Sequence, residues 1–141
     1  SHLSIGNSHC IVFSKNSFGN KEKISDILNS LYDSSVNISF VLNTEEFITE
    51  HDSSIILRVN ERGAGWTKSC GSGATATGAF ISRFMLLPEN GSKKISELDI
   101  SQEGGELKIQ NIFMTDVDGK YSPGLYLYGP STFEYDGVWN D

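Results

Sequence analysis

The sequence predicts an α+β fold in which an antiparallel-rich sheet curls around one central helix. Three observations carry that prediction: an early amphipathic helix, short alternating strands throughout the rest, and one long helix of small residues in the middle of the chain. Propensity alone would not hold the middle helix, because Gly73, Thr75, Thr77 and Gly78 are poor helix formers. Surrounding structure must therefore bury it.

The elements follow in order. Ile5 to Phe13 opens on Gly6-Asn7 and runs into His9-Cys10-Ile11-Val12-Phe13, a strand after a turn, ended by Ser14-Lys15-Asn16-Ser17. From Lys21 to Tyr32 the apolar residues Ile24, Ile27, Leu28 and Leu31 fall on one helical face, which predicts an amphipathic, peripheral helix. Val36 to Leu42 alternates Val36, Ile38 and Phe40 against Asn37 and Ser39, a half-buried strand with Asn37 pointing away from the apolar face. Glu45 to Ser53 is polar with Phe47 and Ile48 embedded and has no clear period. Ile55 to Asn60 reads as a strand that delivers Glu61 and Arg62 to its end, where site residues commonly sit. The central helix spans about Gly71 to Leu87, with Pro88 to Gly91 ending it. Glu97 to Ser101 and Glu106 to Gln110 alternate around Glu103-Gly104-Gly105 as a β-hairpin, with Asn111 to Thr115 extending its second strand. Asp118-Gly119 and Ser122-Pro123-Gly124 mark turns, Leu125 to Tyr128 a strand, and Gly129-Pro130 a break before Thr132 to Tyr135.

With 141 residues, no internal repeat and no linker, residues 1–141 form one domain large enough for a real core. A hydrophobic content of 38% and a charged content of 21% suit an ordinary soluble globule. The net charge of −7 argues against nucleic acid or an anionic membrane as partner. No apolar run is long enough to span a bilayer. Two cysteines without regular spacing indicate neither a disulfide framework nor a zinc cluster, so a reducing, cytoplasmic setting is expected. The start at Ser1, five residues before a functional-looking loop and without an initiator Met, leads to the expectation of a fragment.

Chemistry concentrates between Glu61 and Phe80. Cys70 stands where the central helix begins, and the N–H groups of Gly71, Ser72 and Gly73 lack intrahelical acceptors there. A carboxylate fits such a helix start, and a thiol at the same edge is expected to have its pKa pulled below the free value. Cys70 is thus a candidate base or nucleophile. Glu61 and Arg62 lie nine and eight residues upstream on a glycine-containing polar loop that can fold back over the helix start. Arg62 can hold a second carboxylate in bidentate fashion, and Glu61 can exchange a proton with Cys70. The plainer reading makes Cys70 an inert core residue and Glu61 with Arg62 a solvated loop pair. By the same plain reading His9 is a hydrogen-bonded structural histidine, Asn7 a turn residue and Asn37 a solvent-facing strand residue. Gly71 to Ala76 also fits a loose dinucleotide-binding fingerprint, but a polar loop precedes it where a hydrophobic strand is required.

The run from Glu61 to Ala76 resembles the C-terminal catalytic signature of the diaminopimelate epimerases, and Gly6-Asn7-Ser8-His9-Cys10 is similar to that family's second signature. The similarity continues through Val36 to Phe40, the Gly104-Gly105 hairpin and Tyr128-Gly129-Pro130, so it covers nearly the whole chain but only about half of the enzyme. The resemblance implies two similar α/β halves, each a barrel-like sheet around a central helix, with the active site in the cleft between them. This chain would be the C-terminal half, and residues 131–141 would pack on the absent N-terminal half. The implied activity interconverts LL- and meso-diaminopimelate with two cysteines as acid and base, without cofactor or metal, in lysine and peptidoglycan precursor synthesis.

Carried over to this sequence, Cys70 is one of the two catalytic cysteines and Glu61 its proton-exchange partner. Gly71 and Ser72 offer backbone N–H groups to the reacting carboxylate. His9 assists the other cysteine, which belongs to the absent half and is not Cys10. Asn7, Asn37, Glu61 and Arg62 recognise the distal amino acid end. Two positions depart from the family pattern: Ser8 stands where Pro is usual, and Trp66 where Glu is common, in a loop expected near the cleft. The partners implied are diaminopimelate and the N-terminal half, with a homodimer left open, and the fragment by itself is expected to be inactive. A related racemase for another amino acid with a polar far end, or a non-catalytic carboxylate-binding domain, are the alternative readings.

Overall fold

The computed structural model of the chain describes residues 1–13, 15–33, 35–45, 54–82, 97–115, 121–132 and 136–137. Chain order is β1 (His2–Ser4), β2 (Ser8–Phe13), α1 (Lys15–Phe18), α2 (Lys21–Leu31), β3 (Asn37–Val41), β4 (Ser54–Glu61), β5 (Gly65–Thr67), α3 (Gly71–Phe80), β6 (Glu97–Gln102), β7 (Gly105–Thr115) and β8 (Tyr121–Tyr128). The strands form one sheet in the order β1-β2-β3-β4-β6-β7-β8, with β5 also paired to β4. Among the described residues five pairings are antiparallel and two, β2 with β3 and β4 with β6, are parallel. Parallel neighbours need a crossover connection. The segment with α1 and α2 makes the first, and the segment with α3 the second.

The sheet curls. α3 touches β2 and β3 as well as β7 and β8, yet in a flat sheet β2 and β8 would lie roughly 24 Å apart at the usual spacing between strands. A helix about 10 Å across can meet both only if the sheet wraps it as a half-barrel. Small residues let it do so. A Cβ at Gly78 would stand 2.9 Å from Ile109 Cγ2, and one at Gly73 would stand 3.1 Å from Val59 Cγ2.

Two cores result. Ile11, Val41, Ile55, Leu57, Val59, Leu98, Ile100 and Ile109 pack with Ala74 and Ile81 on the concave side. Cys10, Val36, Ile38 and Phe40 pack on the convex side against Phe18, Ile24, Leu28, Tyr32 and Trp66. β3 is accordingly buried along its whole length, whereas its alternation predicts burial of one face. Asn37 and Ser39 do point away from Phe40, but they point at α3 and not at solvent.

Other expectations shift for similar reasons. Only part of the apolar stripe of α2 faces inward: Ile24 and Leu28 pack on the convex core, while Ile27 and Leu31 are exposed. The polar loop after β4 forms the short strand β5, because Gly63 (φ 79) and Gly65 (φ 75) adopt left-handed backbone that turns the chain back on itself. Ser122-Pro123-Gly124 lies inside β8, where the missing N–H of Pro123 is tolerated because β8 stands at the end of the strand order. The hairpin of β6 and β7, the continuation through Thr115 and the strand ending at Tyr128 form as expected. The helix beyond Ser82, the segment 46–53, the turn at 118–119 and residues 133–135 lie outside the described residues.

Candidate functional site

The site grows from strand register. His9 lies opposite Asn37, and Ile38 lies opposite Asn60, which brings Asn37 opposite Glu61 one step further. His9 shares a face with Ile11, Asn37 with Val41, and Glu61 with Val59, all on the α3 side of the sheet. One polar row therefore crosses β2, β3 and β4 beside the start of α3.

Asn37 is 8% exposed and uses its amide on backbone. Its Oδ1 accepts the Arg62 N–H at 3.0 Å and its Nδ2 donates to the Ser8 carbonyl at 3.3 Å, which ties the start of β2 to the end of β4. Asn7 Nδ2 donates to Ser72 Oγ at 3.4 Å, so its Oδ1 faces His9 Nε2 at 3.1 Å and that nitrogen carries the proton. The other ring nitrogen, Nδ1, is buried and has no hydrogen-bond partner among the described residues. Burial lowers the pKa of His9 and the negative charge of Glu61 partly offsets this.

Cys70 is the N-cap of α3. Its Sγ accepts the Gly73 N–H at 3.3 Å and lies 3.5 Å from Ser72 Oγ. Because Ser72 Oγ accepts from Asn7, its own hydrogen is free to point at the sulfur. His9, Asn7, Ser72 and Cys70 thus form one hydrogen-bonded chain. The helix start does not make Cys70 acidic, contrary to the sequence expectation. Burial pushes the thiol up, the Ser72 and Gly73 donors oppose this, and Glu61 adds to the rise. The helix supplies donors, but removing water costs the thiolate more than they return.

Glu61 Oε1 accepts from Thr67 Oγ1 at 2.6 Å. Arg62 is exposed at the rim, and no partner of its guanidinium is seen among the described residues. Trp66 is turned to the convex side. It packs on Phe18 and Phe40 and donates its indole N–H to the Glu22 carboxylate at 3.1 Å, with Lys21 over its ring. Its contacts are therefore on the opposite side of the sheet from Glu61 and Cys70. The other candidate catalytic and substrate-binding residues, Asn7, His9, Asn37, Glu61, Arg62, Cys70, Gly71 and Ser72, lie at the mouth of α3 or at its rim, whereas Cys10 packs in the convex core.

Two contributors escape a sequence reading. Thr67 becomes a partner of Glu61 only because β5 forms. Gln102 accepts the Cys70 N–H at 2.6 Å and donates to the Cys70 carbonyl at 3.2 Å. A signal for it exists: Gln102 continues the inward register of Leu98 and Ile100, and a polar residue in that register requires a buried partner.

No family model matches the chain. Curated relatives do. The diaminopimelate epimerase of Xanthomonas euvesicatoria pv. vesicatoria is 30% identical over 141 residues, which covers 98% of this chain and 43% of the relative. That of Buchnera aphidicola subsp. Baizongia pistaciae is 34% identical over 140 residues, 97% of this chain and 42% of the relative. That of Methanococcus aeolicus is 28% identical, with 96% and 41% covered. Among solved structures, the Bacillus anthracis phenazine biosynthesis protein of the PhzF family superimposes with a TM-score of 0.51 at 24% identity, covering 84% of this chain and 34% of that one. This last is a likeness of fold, and it agrees with the curled α+β sheet. The resemblance read from the sequence is borne out along nearly the whole chain, which spans less than half the length of these relatives.

Proposed function

We propose that the chain is the C-terminal half of a cofactor-independent diaminopimelate epimerase, with Cys70 as one of two thiols that invert a stereocentre. The observation that carries the reading is Cys70 at the start of α3, its sulfur held by the Gly73 N–H and Ser72 while Glu61 acts on it from β4. The similarity to named diaminopimelate epimerases supports the substrate assignment.

The chemistry follows from an acidity gap. The α-proton of an amino acid is a far weaker acid than any side chain, so the carbanion-like state needs electrostatic support. The N–H groups of Gly71 and Ser72, which lack intrahelical acceptors, would hold the α-carboxylate and spread that charge. Inversion needs a base on one face and an acid on the other, because one group alone returns the proton to the face it left. In one direction Cys70, protonated at rest through burial, gives its proton to the carbon while a thiolate on the opposite wall removes the original one. In the other direction Cys70 first passes its proton to Glu61 and then acts as base. Each turnover moves one proton off the carbon and one on. The opposing thiol would come from the polypeptide that corresponds to the rest of the relatives' length, assisted by His9.

For the distal end of the substrate, the bonds around Asn37 support a positioning role: it holds the Arg62 backbone, and the exposed Arg62 guanidinium would grip the second carboxylate. Asn7 would turn from Ser72 to that end. Both cysteines are free and buried, which suits a reducing cytoplasm and lysine and peptidoglycan precursor synthesis.

The test is to incubate the chain with LL-diaminopimelate in D₂O, alone and with the complementary half, and to follow the α-proton by NMR. Inversion with the complement, none without it, and loss in Cys70→Ala are expected. Full epimerisation by the chain alone would refute the division of the two thiols between halves.

A further inference from the structure

The tip of the β6–β7 hairpin is docked on the residues that lead into α3. Gln102 ends β6, is 7% exposed, and uses both amide groups on the backbone of Cys70, accepting its N–H at 2.6 Å and donating to its carbonyl at 3.2 Å. The Gly104 N–H donates to the Lys68 carbonyl at 2.7 Å. A Cβ at Gly104 would stand 3.1 Å from Ser69 Cβ and 3.2 Å from that carbonyl oxygen, so the tip lies flush on the loop. From this geometry we propose that Gln102 is a positioning residue, holding the backbone of Cys70 so that its sulfur meets the N–H groups at the mouth of α3. The inference rests on the reading of Cys70 as an acid–base thiol.

A cysteine side chain has one rotatable bond before its sulfur, so the backbone largely decides where the sulfur lands. Cys70 is extended (φ −141, ψ 105), and from that conformation its Sγ reaches the Gly73 N–H. The Cys70 carbonyl has a second partner in the Ala74 N–H at 3.0 Å and can spare Gln102. The Cys70 N–H gives its bond to Gln102 alone among the contacts described, and it lies in a buried setting where an orphaned donor is costly. Without Gln102 the residue would turn to satisfy that donor and carry its sulfur away from Gly73 and Ser72. The titratable groups facing Cys70 stay in place: Glu61 from β4, and His9 from β2 through Asn7 and Ser72. Glu103 beside Gln102 is turned outward to Arg58 Nε at 3.0 Å.

The experiment alkylates the chain with iodoacetamide from pH 6 to 10 and follows Cys70 and Cys10 separately by mass spectrometry, in the wild type and in Gln102→Met. The expected result is a Cys70 midpoint raised by about half a pH unit, so roughly threefold less thiolate below the midpoint, with the Cys10 profile unchanged. A folded Gln102→Met protein with the wild-type Cys70 profile would overturn the proposal. Hydrogen exchange of the Cys70 amide in the wild type is read alongside and decides the matter if the variant does not fold. Exchange as slow as in the β6–β7 ladder supports the clamp, and exchange as fast as in exposed loops overturns it. A wild-type Cys70 that resists alkylation at every pH would count against the acid–base reading itself, and the amide measurement then decides the clamp by itself.

Discussion

Thr67 Oγ1 donates to Glu61 Oε1 at 2.6 Å, across the tight turn in which β5 folds back on β4. The bond fixes one carboxylate oxygen of the residue proposed to exchange a proton with Cys70. Thr67→Val keeps the shape and removes the donor. Its expected effect is a loss of about 1 kcal/mol in stability, since the pair is only partly buried, and, on the proposed function, about tenfold lower turnover once the complementary half is added. Urea midpoints and initial rates check the two effects. Unchanged turnover would mean that Glu61 needs no such holder.

Buried neutral groups set a pH window for stability. The folded pKa of His9 is lowered by burial, so the unfolded chain binds the extra proton and stability falls as pH drops below about 6.5. The folded pKa values of Cys70 and Cys10 are raised by burial, so the unfolded chain ionises first and stability falls as pH rises above about 8.5. Urea midpoints between pH 5 and 10 should peak between those limits. Cys70→Ala should flatten the alkaline side in part, because Cys10 remains, and His9→Gln should flatten the acid side.

Gly78→Ala tests the close approach of α3 to β7. Alanine ordinarily stabilises a helix interior by about 1 kcal/mol over glycine. Here the new methyl would stand 2.9 Å from Ile109 Cγ2 and 3.1 Å from its Cβ, and Ile109 is fully buried in the concave core. Overpacking costs typically 1–3 kcal/mol. A net loss of about 1 kcal/mol, or about 4 °C in Tm for a chain of this size, is expected by calorimetry. A stabilised variant would show that the helix is not held so closely.

Trp66→Glu restores the residue common in the resembling family. Trp66 contacts Phe18, Phe40 and Glu22 on the convex side, so its loss should cost about 2–3 kcal/mol through an unfilled aromatic site and a new carboxylate close to that of Glu22. On the proposed function, the preference of the chain and its complementary half for diaminopimelate over other amino acids should not change. A changed preference would require Trp66 to reach the substrate.

Composition and local spacing made much of this legible. The alternation of Leu98, Ile100, Leu107 and Ile109 around Glu103-Gly104 specifies a hairpin because side chains switch faces at every residue of a strand. The run from Cys70 to Gly78 specifies a helix that others must bury, because its residues are too small to form a core of their own. Glu61, Arg62 and Cys70 could be singled out because a charged pair and a thiol flank a helix start, whereas the Gly6 to Cys10 turn stood out only through its resemblance to a family signature, since by local chemistry alone His9 and Asn7 read as structural.

Contacts between segments distant in sequence had to await the fold. The exposure of Ile27 and Leu31 while Ile24 and Leu28 pack, the turning of Trp66 to the convex side, and the clamp of Gln102 on Cys70 each join or separate groups through the curl of the sheet. The acidity of Cys70 belongs with them. The local sequence offers a helix start that favours the thiolate, whereas its net tendency is set by how completely the surrounding strands exclude water, and no spacing along the chain encodes that.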